Sequence, residues 1–231
     1  MYRKFFKRGF DIVFSFLGIV VLSVPMLLIM IVIKCDSEGP VIFKTERVGK
    51  NGKPFKFYKF RSMRTDAPKD LPTRLMKSDE YITNAGKFLR KTSLDELPQL
   101  FCILKGDMSI IGPRPVVDTE TELLEYREQT GAMSVRPGLT GLAQISGRDK
   151  LIDMKLKAEL DGEYAKKITF GKDFKIFFKT IAVVLKGSDI VEGDAVMKEG
   201  EAEQDQVQEV AATQDEKNDA LPTEASQTGE E

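Results

Sequence analysis

Ile12-Val13-Phe14-Ser15-Phe16-Leu17-Gly18-Ile19-Val20-Val21-Leu22-Ser23-Val24-Pro25-Met26 opens an uncharged, mostly apolar run of 22 residues that continues to Ile33. As a helix rising 1.5 Å per residue it would be about 33 Å long, enough to cross a hydrocarbon layer of about 30 Å. Pro25 stands near its middle with Ser23 two residues before it. Proline deletes a backbone hydrogen bond and bends a helix, and a serine hydroxyl can satisfy a carbonyl so freed inside lipid. A bent membrane helix is expected. Arg3, Lys4, Lys7 and Arg8 precede the run, and Lys34 and Lys44 follow it. Positive charge on both flanks favours one side of the membrane for both ends, so residues 1–36 read as a re-entrant anchor in preference to a simple span. A cleaved signal peptide fits poorly, because the run is too long and no small-residue cleavage site follows.

Charge divides the rest of the chain. From Glu192 to Glu231 there are 13 acidic and 2 basic residues and no aromatic one, so residues 192–231 read as a disordered acidic tail. The remaining 191 residues carry 33 basic and 23 acidic side chains. Such a surface suits nucleic acid, an anionic membrane face or a phosphorylated substrate. There is no histidine, which excludes the usual general base, a Ser-His pair and any His-containing zinc site. Chemistry must then rest on carboxylates, Lys, Arg or a metal. Cys35 and Cys102 lack metal-ligand spacing and read as structural thiols of a reducing compartment. The length suits one folded domain, residues 37–191, between anchor and tail.

Within that domain Val41–Phe60 reads as a β-hairpin. Val41, Phe43 and Thr45 alternate, Gly49-Lys50-Asn51-Gly52 supplies turn chemistry, and Phe55, Phe57 and Tyr58 resume the pattern. It runs into Lys59-Phe60-Arg61-Ser62-Met63-Arg64, which alone reads as a solvated basic edge. A helix is predicted over Asn84–Lys91, another after Pro98 that ends at Gly106, and a polar, solvent-facing one over Asp118–Thr130 closed by Gly131. Arg136-Pro137-Gly138-Leu139-Thr140-Gly141 reads as a loop. From Thr169 to Lys186, Phe170, Phe174, Phe177, Phe178, Ile181 and Leu185 recur at helical spacing opposite Lys172, Lys175, Lys179 and Lys186. That is a basic amphipathic helix suited to a membrane interface. The fold class is therefore α+β, mainly helical, with a re-entrant membrane helix, a small hairpin and interfacial amphipathic helices.

The chemistry is expected at Thr92-Ser93-Leu94-Asp95-Glu96-Leu97-Pro98-Gln99-Leu100. Either Ser93 caps a helix with Glu96 closing a capping box, or Pro98 opens the helix. Both place two carboxylates at the positive end of a helix, where a phosphate is also attracted. Taken alone, such a pair reads as a cap. Arg90, Lys91 and the rigid Pro113-Arg114-Pro115 give it company suited to phosphate oxygens.

These motifs resemble one family, the monotopic phosphoglycosyl transferases or bacterial sugar transferases, and above all their PglC-type small catalytic core. The likeness runs from Tyr2 to about Gly187. It is carried by Lys7-Arg8 with Asp11, Ser23 and Pro25, Glu46-Arg47-Val48-Gly49, Lys59-Phe60-Arg61-Ser62-Met63, Ser93–Gln99, Lys105-Gly106-Asp107-Met108-Ser109, Gly112–Pro115 and Arg136–Gly141. It departs from the family at Thr45, where Gln is common, and at Val24, which separates Ser23 from Pro25.

The resemblance implies an enzyme on the cytoplasmic face of the bacterial inner membrane that moves a sugar-1-phosphate from a UDP-sugar to a polyprenyl phosphate. UMP leaves, and Asp95 forms a covalent phosphosugar intermediate. It implies Mg²⁺, associated with Asp95, and a catalytic partner in Glu96. By matching positions, Arg90 and Arg114 are the first candidates for donor contacts, with Lys59, Arg61 and Arg136 behind them. The implied partners are UDP-sugar, polyprenyl phosphate and membrane lipids, with a homo-oligomer compatible and nucleic acid not among them. Likeness to the PglC type favours an acetamido sugar. The competing reading is a non-enzymatic adaptor whose basic face binds anionic lipid and whose acidic tail recruits partners; it leaves the Pro-flanked Arg114 beside Asp95 and Glu96 unexplained.

Overall fold

The computed structural model describes residues 2–67, 80–147 and 153–185. The expected acidic tail lies outside them. A wide helical turn, Tyr2–Phe6, leads into α1, Lys7–Asp36. α1 runs through Pro25 as one element of 30 residues. Proline withholds its donor from the carbonyl one turn back, and nearby Ser23 Oγ donates to Val20 O at 2.8 Å.

α1 lies along the body of the protein. Asp11, Ser15, Met26 and Ile33 are buried, and Ile19 and Leu22 pack between them against core residues. On the other side Val13, Phe16, Val20, Val24, Leu28 and Ile31 are each more than half exposed. Both ends are tied down by polar contacts. Asp11 Oδ1 accepts from Ser109 Oγ and from Ile110 N, both at 3.0 Å. At the other end Arg61 Nη2 donates to Ser37 O at 2.6 Å and Ser37 Oγ at 2.9 Å.

The expected hairpin is present. β1, Ile42–Val48, pairs antiparallel with β2, Pro54–Phe60, in the register Ile42↔Phe60 to Val48↔Pro54. Phe57 and Phe60 face the core, Phe57 toward Leu100 and Ile103, Phe60 toward Met26, Ile33 and Leu89. α2, Asn84–Thr92, is capped by Thr83, whose Oγ1 accepts from Gly86 N at 3.0 Å. α3, Gln99–Lys105, stops at Gly106 in the left-handed region, as expected.

The segment around Gly138 corrects the sequence reading. β4, Gly138–Thr140, is a strand and pairs parallel with β3, Ser109–Ile111. The glycines serve this pairing: a Cβ on Gly138 would stand 2.1 Å from Gly112 N, a distance no side chain tolerates. α4, Thr121–Thr130, starts three residues later than expected and ends at Gly131. α5, Leu142–Gly147, and α6, Met154–Lys166, follow, and α7, Phe170–Leu185, is the predicted amphipathic helix. Its Phe170, Phe174 and Phe178 are more than half exposed, while Ile176 and Asp173 are buried. Among the described residues the architecture is mainly helical, with two small two-stranded sheets and one long apolar N-terminal helix.

Candidate active site

α2 gives way to a left-handed residue, Ser93, at φ 58°. Leu94–Glu96 then form one tight turn, closed by Glu96 N donating to Ser93 O at 3.3 Å, and the chain passes through Leu97 and Pro98 into α3. Ser93 makes no side-chain cap bond, so the capping-box reading fails and the reading with Pro98 at the opening of the helix is the nearer one. Leu94 and Leu97 pack into the cluster of Met26, Ile33, Phe60 and Leu89. With those two leucines anchored, Asp95, only 6% exposed, and Glu96 line a cavity of about 210 Å³.

Two kinds of wall enclose the cavity. Arg90, Asp95, Glu96 and Arg114 form an ionic one. Arg90 is buried and steered by Ser62, whose Oγ accepts from its Nε at 3.1 Å. Arg114 arrives through the β3–β4 pair, since Gly138 N donates to Pro113 O at 2.8 Å. Its Nη1 then lies 3.2 Å from Glu96 Oε1. The other is apolar, with Ile110, Leu139, Ile145, Phe177, Ile181 and Val184. Thr140 and Thr180 also line the cavity: Thr180 Oγ1 donates to Ile176 O at 2.8 Å, which leaves Thr140 as the donor in their mutual 2.8 Å bond.

A family model described as bacterial sugar transferase matches residues 2–187. The chain belongs to that family. It is 43% identical over 194 residues to the galactosyl transferase CpsE of Streptococcus agalactiae serotype III, an alignment covering 79% of this chain and 42% of that protein. It is 44% identical over 184 residues to a UDP-glucose:undecaprenyl-phosphate glucose-1-phosphate transferase of Klebsiella pneumoniae, covering 76% and 39%. With the exopolysaccharide production protein ExoY of Sinorhizobium fredii it shares 39% identity over 193 residues, 77% of this chain and 84% of that one. The chain spans about two fifths of the length of the first two relatives.

Of the residues expected at the site, the structure brings Arg90, Asp95, Glu96 and Arg114 to one cavity. The cavity lining does not include Lys59, Arg61 or Arg136. Lys59 Nζ stands 5.9 Å over the ring of Phe43, its cross-strand neighbour. Arg61 closes the C-terminal end of α1, and Arg136 Nε donates to Gly106 O at 2.8 Å beyond the end of α3. Carbonyls at a helix end also accept from a guanidinium, and the sequence alone does not say whether an arginine meets those or a substrate. Thr140, Thr180 and the buried Arg127 were not among the expected residues. Arg127 in particular sits in a helix whose polar composition suggested a solvated face.

Proposed function

We propose that the chain is a polyprenyl-phosphate phosphoglycosyl transferase, moving a sugar-1-phosphate from a UDP-sugar to undecaprenyl phosphate with a phosphosugar ester on Asp95 between two half-reactions. One observation carries this reading: Asp95 lines a single cavity together with the cations Arg90 and Arg114 and with apolar side chains of β4, α5 and α7. The apolar wall includes Phe177 and Ile181, which are 42% and 40% exposed and belong to the outward apolar face of α7. A lipid phosphate needs such a place, with cations for its head and hydrocarbon for its tail.

In the first half-reaction a carboxylate oxygen of Asp95 attacks the β-phosphorus. The bond from that phosphorus to the bridging oxygen breaks, and UMP leaves with the oxygen and its electron pair. In the second, a phosphate oxygen of the polyprenyl phosphate attacks the same phosphorus and the carboxylate leaves, restoring Asp95. Splitting the transfer lets one cavity serve a soluble donor and a membrane-bound acceptor in turn. Arg114 and Arg90 bind the diphosphate, whose charge shifts toward the leaving UMP as the bond lengthens; both line the cavity with Asp95, which supports these roles. Glu96 orients Arg114 through their ion pair.

Magnesium is bound by one or two carboxylates and completes its shell with water and substrate phosphate oxygens. Asp95, with Glu96 beside it, offers that donor set; among the described residues no group of three His, Cys, Asp or Glu is assembled to hold a metal without substrate. When bound, the ion supplies charge neutralisation on the diphosphate.

The same reading makes the chain monotopic on the cytoplasmic face, with α1 dipping into one leaflet. It is supported by the two tethered ends of α1, Asp11 on β3 and Ser37 on Arg61, which a helix crossing away from the body would break.

The test is UMP release from a panel of UDP-sugars with undecaprenyl phosphate and Mg²⁺, together with intact mass of the protein exposed to donor alone. A phosphosugar increment that vanishes in Asp95→Asn is expected. No UMP from any donor overturns the activity, and UMP without an adduct overturns the covalent path. The two relatives of nearly equal identity named above differ in the sugar their names state, so the panel includes glucose, galactose and acetamido donors.

A further inference from the structure

The segment that carries Arg114 to the cavity is poor in donors. Pro113 and Pro115 have no N–H, so the backbone there is held largely through its carbonyls. Three of them are gripped from three elements. Pro113 O accepts from Gly138 N of β4 at 2.8 Å, and Val116 O accepts from Val48 N of β1 at 2.9 Å. Between them Arg114 O accepts from Nη1 of Arg127 on α4 at 2.9 Å. The outer two donors are backbone groups. The middle one is a side chain, 4% exposed.

That side chain is itself oriented. Arg127 Nε and Nη2 both donate to Asp161 Oδ2, at 2.9 and 2.6 Å, and Asp161 on α6 is 1% exposed. An ion pair that only joined α4 to α6 would be complete with those two bonds. The third donor reaches past the pair to the carbonyl of a cavity residue. Because Arg114 precedes a proline its φ and ψ are already confined to the extended region, and the bond to its carbonyl removes the rotation of the peptide plane that remains.

We infer that Arg127, held by Asp161, is a positioning residue that fixes the Arg114–Pro115 peptide plane and so aims the Arg114 guanidinium at the diphosphate of the donor. The inference deepens the proposed phosphoglycosyl transfer and rests on it for the identity of the donor. It makes Asp161, Arg127, Arg114 and Glu96 one chain of contacts, of which the first two touch no substrate.

The experiment uses Arg127→Lys and the apolar pair Arg127→Met with Asp161→Leu, each in the wild-type and the Arg114→Ala backgrounds. Lysine keeps the charge but lacks the fork that serves two acceptors at once. Replacing a buried ion pair by apolar residues of similar volume is often neutral or stabilising, so the second variant separates folding from aiming. Expected is a loss of about 10- to 100-fold in donor kcat/KM, carried mainly by donor KM, with polyprenyl phosphate KM held within about twofold. In the Arg114→Ala background the same changes should cost less than about twofold, since no guanidinium is left to aim. Equal losses in both backgrounds overturn the inference, as does full activity in a double variant that melts like wild type. If the double variant does not fold, Arg127→Lys in the two backgrounds decides alone. The same comparison on UDP affinity by calorimetry needs no turnover; a wild-type chain that neither binds UDP nor releases UMP overturns the transferase reading instead.

Discussion

Arg114 Nη1 stands 3.2 Å from Glu96 Oε1, with the two side chains 32% and 21% exposed. A pair so open to water contributes little to stability, yet a guanidinium fork is well matched to phosphate oxygens. The pair is therefore exchangeable for a donor diphosphate. Arg114→Lys should lower donor kcat/KM by about 10- to 100-fold, the equivalent of losing about 1.5–3 kcal/mol of charged hydrogen bonding. Its melting temperature should stay near wild type. UMP-release kinetics with a thermal melt check both halves, and an unimpaired lysine variant would remove Arg114 from the donor site.

Arg61 provides the contrast. It bonds Ser37 and not the cavity, so Arg61→Lys should destabilise the fold by about 1–3 kcal/mol while leaving donor KM within about twofold. Denaturant unfolding and the donor saturation curve measure the two effects separately. A large rise in donor KM at unchanged stability would return Arg61 to the substrate.

Asp173 joins three elements: Lys7 Nζ and Tyr2 Oη donate to its Oδ2 at 2.9 and 2.8 Å, and Tyr164 Oη to its Oδ1 at 2.8 Å. Burial first, and the Asp173 charge second, push the Tyr164 phenol far above its usual value near 10. A raised pKa means that the folded chain keeps this proton while the unfolded chain loses it above about pH 10. Stability should therefore fall as pH rises past 10, by up to about 1.4 kcal/mol per pH unit for this group. Tyr2, raised mainly by burial and by Asp173, adds to the slope. In Tyr164→Phe the slope should shrink without vanishing, and stability at pH 8 should drop by about 1–3 kcal/mol. Melting temperatures between pH 8 and 11 decide; an unchanged slope would exclude Tyr164 as its source.

Ile181 lines the apolar wall from α7. Ile181→Asn removes about 1–2 kcal/mol of apolar contact to a lipid tail, so acceptor KM should rise about 5- to 30-fold with the donor-only adduct unchanged. Intact mass and steady-state rates report the two. Loss of the adduct itself would assign this wall to the donor.

Topology is open to labelling. In a Cys35→Ser background, which removes the exposed thiol and leaves Cys102 buried, Arg3→Cys should react with an impermeant maleimide only after the cytoplasmic face is opened. Labelling of intact cells would exclude a one-sided anchor.

The residues that build the site were legible to different depths. Arg90 and Asp95 lie on successive local elements, and turn chemistry alone brings them near each other. Arg114 depends on β3 and β4 meeting in parallel, a contact set by glycines that touch each other's backbone; in sequence these same glycines look like a loop. Arg127 and Asp161 stand 34 residues apart and pair only because α4 packs on α6. A charged residue in a polar helix carries no mark of that burial.

By itself the sequence determined the long apolar helix, the hairpin and the amphipathic α7, because periodicity and turn residues act over a few positions. Only the tertiary structure decided which cations face Asp95 and which serve helix ends. A guanidinium donates to a carbonyl as well as to a phosphate, and long-range packing determines which of them it meets.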